Sequence, residues 1–415
     1  MTEGAAAISL PRREKLALFG LALAARAAAV AVLGGGVPRF GDSAAYVRAA
    51  ETFWKTGTYP SRTDLALFRP PGYPVFLALS TWGRPDRIAW DLAWNVVLGA
   101  LSVLVLASLA GRVAGSLRAA RFAGVAAALH PPLLILSADV QSEPLFLLLL
   151  LAAGFLLLVS VDRPSSGCGL LSGAALALAA LTRPSALALV PLLAAPLFDR
   201  RFPAAVRRSL AASALFGLCA VLLPWTARNA FRFHALLPVN DGGALVFWQG
   251  NSAWAVRYDD ARSAAEMERW SRDFNESVER PEIPGAADPN PAVRARAFRD
   301  AALGWIRAHP REELGVLRAK AKDWLRPGAD PRFWPRGVVL ASAAGYAALA
   351  VLAAAGLARA PRRGVAALAI VVLAVSMAAH VATIVALRYR VPYWDPVLLL
   401  YASASAAKVL RRHAA

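Results

Sequence analysis

Carboxylate and guanidinium side chains recur at the ends of apolar stretches of this sequence, in motifs that lie far apart along the chain. The acids Asp42 and Glu143 are of the type that serves as a general base or binds a divalent cation. The basic members, whose planar forks suit phosphate oxygens, are Arg69, Arg183, Arg228, Arg388 and Arg390. This combination predicts a site where a phosphate meets an acceptor hydroxyl. Beside them lie three candidates for positioning a donor or an acceptor: Tyr46, Asn229 and Tyr389.

These motifs share one position, because each adjoins a long apolar stretch. In chain order they read "GDSAAYVRAAETFWKTGTYP", "RPPGYPVFLAL", "HPPLLILSADVQSEPLFLLLL", "LTRPSALALVPLL", "LPWTARNAFRFHALLPVNDGGALVFWQGN" and "RYRVPYWDP". The third also contains Asp139, a lesser candidate. An ionisable group at the centre of a membrane span costs about 2.5 to 3.5 kcal/mol, so groups at the boundary face water, a partner or a ligand.

The apolar stretches have the composition of membrane spans. The chain has 415 residues, of which 58% are hydrophobic and 18% charged, and its mean hydropathy is +0.47. Its apolar blocks are 16–33, 92–110, 122–136, 144–161, 170–181, 186–197, 210–225, 338–357, 365–387 and 396–407. A span needs about 20 apolar residues. We therefore predict an all-α, polytopic integral membrane protein with about ten transmembrane helices.

Basic residues orient the predicted spans. They cluster near the N-terminus and in alternate loops: Arg12, Arg13, Lys15; Arg112, Arg118, Arg121; Arg163; Arg200, Arg201, Arg207, Arg208; Arg359, Arg362, Arg363; Lys408, Arg411, Arg412. The positive-inside bias places them in the cytoplasm, so much of the net charge of +19 indicates orientation rather than a nucleic-acid partner. Residues 170–197 could form one broken span or two short ones; the alternation favours two short spans with Arg183 at the outer tip.

The spans divide the chain into three regions. Residues 1–228 form an N-terminal transmembrane catalytic region that includes a first outer loop, 34–91. Residues 229–337 form an extracytoplasmic region, and residues 338–415 the C-terminal transmembrane helices. In the second region, Asn290 can cap a helix that places Phe298, Ala302, Trp305 and Ile306 on one face. A second amphipathic helix can start at Pro310 and align Leu314, Leu317, Ala321 and Trp324, whereas "WSRDFNESVERPEIPGAADPN" is typical of a loop.

The order of the six motifs resembles the C-type polytopic glycosyltransferases, and most of all the bacterial branch near the lipid A aminoarabinose transferase and the protein O-mannosyltransferases. The resemblance covers 42–396. It implies a glycosyltransferase that moves a sugar from a polyprenyl-phosphate-linked donor to an acceptor hydroxyl or phosphate. It also implies an active site on the extracytoplasmic side of the cytoplasmic (inner) membrane. The implied partners are that donor, a lipid, glycan or protein acceptor, and membrane lipids.

The resemblance also implies roles for the residues of this sequence that match the family's motifs. Asp42 matches the family's acid of the first outer loop, which implies catalysis and binding of a divalent cation, Mg²⁺ or Mn²⁺. Glu143 matches the acid of the second outer turn. Arg69 matches the basic residue near the donor phosphate, and Arg388 with Arg390 match a late basic pair that binds it.

Other interpretations remain open. Asp42 could cap a helix, and the arginines could extend to lipid headgroups. A transporter or flippase of polyprenyl-linked lipids is the alternative function, although a carrier should place polar residues near the middle of the membrane. A third possibility is a non-enzymatic assembly factor, whose outer carboxylates would tolerate neutralisation.

Overall fold

Every regular element that the computed structural model contains within the described residues 9–33, 42–60, 69–84, 88–360 and 362–412 is a helix. The first ten helices are α1 Arg12–Leu33, α2 Asp42–Thr56, α3 Gly72–Ser80, α4 Ile88–Ala114, α5 Leu117–Leu129, α6 Pro131–Ile135, α7 Glu143–Asp162, α8 Ser166–Thr182, the 3₁₀ helix Pro184–Phe198 and α9 Ala204–Phe233. The others are α10 Gly242–Gly250, α11 Ala253–Asp260, α12 Ala264–Glu279, α13 Pro291–Ala308, α14 Pro310–Leu325, α15 Arg336–Ala358, α16 Arg363–Val381 and α17 Leu387–Arg412. The predicted all-α class is confirmed.

Six of these helices are long and apolar enough to cross a bilayer: α1, α4, α7, α9, α15 and α16. The sequence predicted about ten spans, and the count by length and composition in the described part of the chain is smaller. The other four predicted spans coincide with α5, α8, the 3₁₀ helix and α17. The first three are shorter than 20 residues, and α17 carries Arg388, Arg390 and Asp395 within its first nine positions.

The segment 170–197 folds as two short helices. α8 and α9 run in the same direction, because Ser166 lies 3.1 Å from Ser209 (Oγ to Oγ) and Gly173 packs on Ala214. The contact is close: a Cβ on Gly173 would lie 1.7 Å from the carbonyl oxygen of Ala214. The connection between two parallel helices must run back, so the 3₁₀ helix returns along the bundle. At about 2.0 Å per residue its 15 residues extend about 30 Å, the thickness of a hydrocarbon core.

The two ends of the bundle collect different groups. At one end, Asp162 of α7 lies 3.1 Å from Arg112 and 2.5 Å from Arg362, which the sequence assigns to two cytoplasmic loops. At the other end α7 begins at Glu143, α8 ends beside Arg183, and α17 begins next to Arg388. We call this second end the motif end.

Helices α10 to α14 form a layer, and the first four share an aromatic core in which Trp248 packs on Phe274 and Phe298. The predicted start of α13 is confirmed: it begins at Pro291, and Asn290 accepts a hydrogen bond from the backbone N–H of Ala292. The loop predicted before it is wrong in part. α12 runs through Glu279 and buries Met267, Phe274 and Val278, which recur at helical spacing.

The predicted α14 also exists, but its buried face differs from the apolar stripe that was expected. Trp324 is buried as the stripe predicts, but Leu314 is 48% exposed, and Glu313 and Val316 are buried instead. The inward side of α14 also bears Lys320, because this helix packs against backbone carbonyls as well as against apolar side chains.

Candidate functional site at the motif end

The third motif forms a buried polar turn that leads into α7. Gln141, Ser142 and Glu143 are each at most 2% exposed. Glu143 is the first residue of α7 and Pro144 follows it, the position where proline is tolerated because the first N–H groups of a helix lack partners. A carboxylate at this end is favoured by the helix dipole. The sequence "QSEP" thus fixes an acid inside the protein at the motif end.

Two arginines from distant segments converge on this acid. Nη1 of Arg183 lies 2.9 Å from Oε1 of Glu143, and Nε of Arg388 lies 4.0 Å from the same oxygen. Arg183 also donates to the hydroxyl of Ser142 at 3.2 Å. Burial disfavours the charged form of Arg183, but the Glu143 carboxylate outweighs it, so the pKa of Arg183 lies above its ordinary value. Both guanidiniums therefore approach the same carboxylate oxygen.

The ring of Tyr389 lies close to both guanidiniums. Its ring centroid lies 4.9 Å from the guanidinium carbon of Arg183 and 5.0 Å from that of Arg388. Its hydroxyl accepts a hydrogen bond from Arg388 at 3.1 Å. The face of an aromatic ring attracts cations, so Tyr389 allows two like charges to stay near each other.

A chain of hydrogen bonds connects Arg388 to α2. Arg388 donates to Oε1 of Gln141 at 3.0 Å, and the amide of Gln141 donates to Oγ of Ser43 at 3.0 Å. Ser43 donates in turn to Oδ1 of Asp139 at 3.3 Å. Asp139 also accepts from the N–H of Val140 at 2.7 Å. The first and last motifs thus meet through the third.

Tyr46 and Arg69 lie on the side of α2 and α3. The hydroxyl of Tyr46 is 3.4 Å from that of Ser142, and the guanidinium carbon of Arg69 is 5.9 Å from the Tyr46 ring centroid. Tyr73 packs edge-on against Tyr46, and burial raises the pKa of its phenol well above the ordinary value. Tyr46 therefore contacts both Arg69 and the polar turn before α7.

Asp42 opens α2, directly before Ser43, and its side chain lies outside the described residues. Its predicted roles as catalytic acid and cation ligand stay predictions. In the described part of the chain, no group of three or more His, Cys, Asp or Glu side chains could hold a metal ion. Glu143 faces guanidinium groups, and Oδ1 of Asp139 accepts from the Ser43 hydroxyl and the N–H of Val140.

Arg228 and Asn229 belong to a neighbouring structural group. Arg228 donates to the carbonyl of Tyr59 at 2.8 Å and lies over the ring of Trp225 at 5.0 Å. The buried amide of Asn229 donates to the carbonyls of Leu237 and Val239, both at 3.0 Å. These contacts secure the chain after α9.

Two contacts relate this group to the site. The phenol of Tyr59 donates to the carbonyl of Pro70, next to Arg69. Burial raises the pKa of Tyr59, and Arg69 and Arg228 oppose that rise. The predicted donor-binding Arg228 is thus connected to the segment of Arg69 through Tyr59.

Arg390 points away from its predicted partner Arg388. It is 2% exposed and donates to the carbonyls of Trp324 and Arg326 at 2.7 and 2.6 Å, at the end of α14. Its guanidinium carbon lies 4.4 Å from the ring centroid of Tyr346 in α15. Two residues of helix rotate a side chain by about 200°, which explains why the two arginines of "RYR" lie on opposite faces of α17.

Ser43, Gln141 and Ser142 connect the predicted residues, although they are not among the residues predicted from the sequence. Two of them stand in "SADVQSEPLF", a polar run between two apolar stretches. Buried polar groups need hydrogen-bond partners, so such a run entering a span is itself a signal of a polar network.

A cavity of about 220 Å³ opens beside this site, between α10, α11, α12, α14 and the start of α17. Its lining includes Arg388 and Tyr389 as well as Gln249, Trp270 and Asp259. The arginine that contacts Gln141 therefore also borders a space under the α10–α14 layer.

The fold has counterparts among solved structures. The chain is similar to the archaeal oligosaccharyltransferase AglB from Archaeoglobus fulgidus, solved with an inhibitory peptide and a dolichol-phosphate, with a TM-score of 0.59 and 13% identity. The similarity covers 96% of this chain and 50% of that one, so this chain spans about half the length of AglB. The chain thus has a fold similar to that of AglB.

Two other solved structures give lower TM-scores. ArnT from Cupriavidus metallidurans, bound to undecaprenyl phosphate, gives a TM-score of 0.44 at 16% identity, with 95% of this chain and 77% of that chain covered. Its apo form gives 0.41 at 18% identity over the same shares. No family model and no curated protein matches the sequence.

Proposed function

We propose that this chain is a glycosyltransferase that moves a hexosyl or pentosyl group from a polyprenyl-phosphate donor to an acceptor hydroxyl or phosphate. The observation that carries the proposal is the convergence of Arg183 and Arg388 on Glu143 at the motif end. Guanidinium groups bind phosphate oxygens through charge-assisted hydrogen bonds, so two of them at one place suit an anionic ligand. AglB, which has a similar fold, was solved with a dolichol-phosphate.

The reaction that we propose is a single displacement at the sugar. The acceptor oxygen forms a bond to the anomeric carbon, and the bond from that carbon to the phosphate oxygen breaks. The electron pair of the broken bond stays on the phosphate, whose charge grows as it leaves. Arg183 and Arg388 stabilise that charge with donors that are in place beforehand. The proton of the acceptor passes to a base, for which Asp42 is the candidate.

Glu143 fits a second role in the same step. Its Oε2 is buried and has no hydrogen-bond partner among the described residues. A buried acceptor without a donor is costly, and a sugar hydroxyl could supply that donor. Glu143 would then hold both the phosphate-binding arginines and the sugar.

The cavity beside Arg388 suits the acceptor. It lies under the α10–α14 layer, which the charge distribution assigns to the extracytoplasmic side. Lined by Trp270, Gln249 and Asp259, it offers an aromatic ring, an amide and a carboxylate. A donor reaching the motif end from the membrane and an acceptor entering through this cavity would meet at Arg388. We infer that the protein works in the cytoplasmic membrane with its active site facing outward.

The test uses purified protein in lipid nanodiscs and undecaprenyl phosphate as the probe. We expect saturable binding that Arg388→Met weakens ten-fold or more, because a charge-assisted hydrogen bond contributes about 1.5 to 3 kcal/mol. The control is Arg318→Met, which removes an exposed arginine of α14 and should leave the affinity unchanged. Transfer is then followed by mass comparison of lipids and glycoproteins from cells with the intact chain or with Asp42→Asn.

Two results would contradict the proposal. One is wild-type protein that binds no undecaprenyl phosphate. The other is an Asp42→Asn protein that inserts normally and keeps full transfer, which would remove Asp42 as the base. Movement of labelled undecaprenyl phosphate between leaflets without any transfer product would instead support the flippase.

A further inference from the structure

Arg388 and Tyr389 lie in the first turn of α17, directly after the short segment that joins α16 to α17. α16 ends at Val381 and α17 begins at Leu387. The position of this turn therefore decides where Arg388 meets Gln141 and Glu143.

One ammonium group connects this turn to two other segments. Nζ of Lys320 donates to the carbonyls of Gly250 at 2.8 Å and Thr383 at 3.1 Å, and to Oδ1 of Asn251 at 3.1 Å. The amide of Asn251 donates to the carbonyl of Ala382 at 2.9 Å. Nζ of Lys320 in the middle of α14 thus joins two other segments, which are the end of α10 and the turn before α17.

Gly250 allows this meeting. A Cβ at this position would lie 1.7 Å from the carbonyl oxygen of Thr383. The backbones of α10 and the turn are therefore in direct contact, and the carbonyls of both must share a donor. An ammonium has three N–H donors and satisfies three acceptors, whereas the neutral amine has only two.

The surroundings of Lys320 favour loss of its proton at a lower pH than that of an exposed lysine. Burial lowers the pKa of Lys320 to about 8, and Glu313 on the same helix opposes that change. Other charged or titratable groups face the same cavity: Asp323 on α14, Tyr258 and Asp259 on α11, and Arg388 and Tyr389 on α17. Asp323 is paired with Arg326. The ammonium is thus present at neutral pH and gives way to the amine in mildly alkaline solution.

We propose that Lys320 is a positioning residue: its ammonium holds the turn 382–386 against the end of α10 and so fixes Arg388 in the candidate site. The test by lipid binding rests on the proposed function, whereas the test by hydrogen–deuterium exchange of the turn does not.

Hydrogen–deuterium exchange of the turn tests the structural part. In nanodiscs, Lys320→Met should raise the exchange of the amides of 382–389 ten-fold or more. The matched control is Lys322→Met, an exposed lysine two positions further along α14, which should leave that exchange unchanged. In the wild type, the protection of these amides, corrected for intrinsic rates, should fall between pH 7 and pH 9 relative to that of α9. This second measurement applies even if Lys320→Met does not fold.

Binding of undecaprenyl phosphate tests the link to the site. Wild-type affinity should decline above about pH 8, since the third donor is lost there, and Lys320→Arg should remove that decline because arginine stays charged. Unchanged exchange in Lys320→Met, or wild-type protection that is flat from pH 7 to 9, would overturn the proposal. If the turn responds as expected but the wild type binds no undecaprenyl phosphate, the positioning role stands and the proposed function fails.

Discussion

Breaking the Arg183–Glu143 pair should be costly, and the cost can be estimated from the geometry. Arg183→Met removes the cation 2.9 Å from a carboxylate that is fully buried. Removing one partner of a buried pair typically costs about 3 to 5 kcal/mol. Arg388 remains at 4.0 Å from the same oxygen and compensates part of the lost charge. We therefore expect a loss near the lower limit, about 3 kcal/mol of unfolding free energy.

The measurement is reversible unfolding in mixed micelles by titration with SDS, followed by the fluorescence of the 12 tryptophans. A double-mutant cycle with Glu143→Gln isolates the pair, and the coupling energy should exceed about 1.5 kcal/mol. Arg257→Met is the control: its partner Asp273 is 51% exposed, and an exposed pair contributes at most about 1 kcal/mol. A coupling energy below about 0.5 kcal/mol would refute the view that Arg183 compensates a buried charge.

Two other predictions concern the bundle and the cation. Gly173→Ala should destabilise the protein by about 3 kcal/mol in the same titration, since the added Cβ meets the Ala214 backbone, whereas Gly154→Ala, with no neighbour within 4 Å, should not destabilise it. If both variants behave alike, α8 and α9 do not pack as described. If Asp42 binds a divalent cation, EDTA should lower transfer ten-fold or more and Mg²⁺ or Mn²⁺ should restore it. Activity that is indifferent to EDTA would remove the cation from the proposal.

Patterns among neighbouring residues predicted most of the helices. The asparagine and proline at 290–291 define the start of α13 through a side-chain cap and a proline at the first helical position, both of which depend on neighbouring residues only. The apolar blocks likewise predicted helices, because a long apolar run satisfies its backbone only by helix formation in lipid. Every predicted block coincides with a helix.

Sequence patterns gave wrong or ambiguous predictions where contacts with a distant segment determine the structure. Leu314 was expected to be buried and Lys320 was overlooked, because an amphipathic stripe is predicted on the assumption of an apolar partner. The actual partner of α14 includes the carbonyls of Gly250 and Thr383, which bury an ammonium instead. The crossing of residues 184–198 was ambiguous for a similar reason. A 3₁₀ helix is longer per residue than an α-helix, so its span cannot be counted as if it were α-helical.

The sequence by itself determined the membrane class, the helices, and the acids and arginines at their ends. Those properties follow from composition and from interactions within a few residues. Only the tertiary structure decided which of these groups meet. Arg388 joins Arg183 at Glu143, whereas Arg390, two residues further on, faces α14 and α15. The reason is geometric: the rotation of a helix and the packing of its neighbours turn adjacent side chains of one motif toward different surroundings.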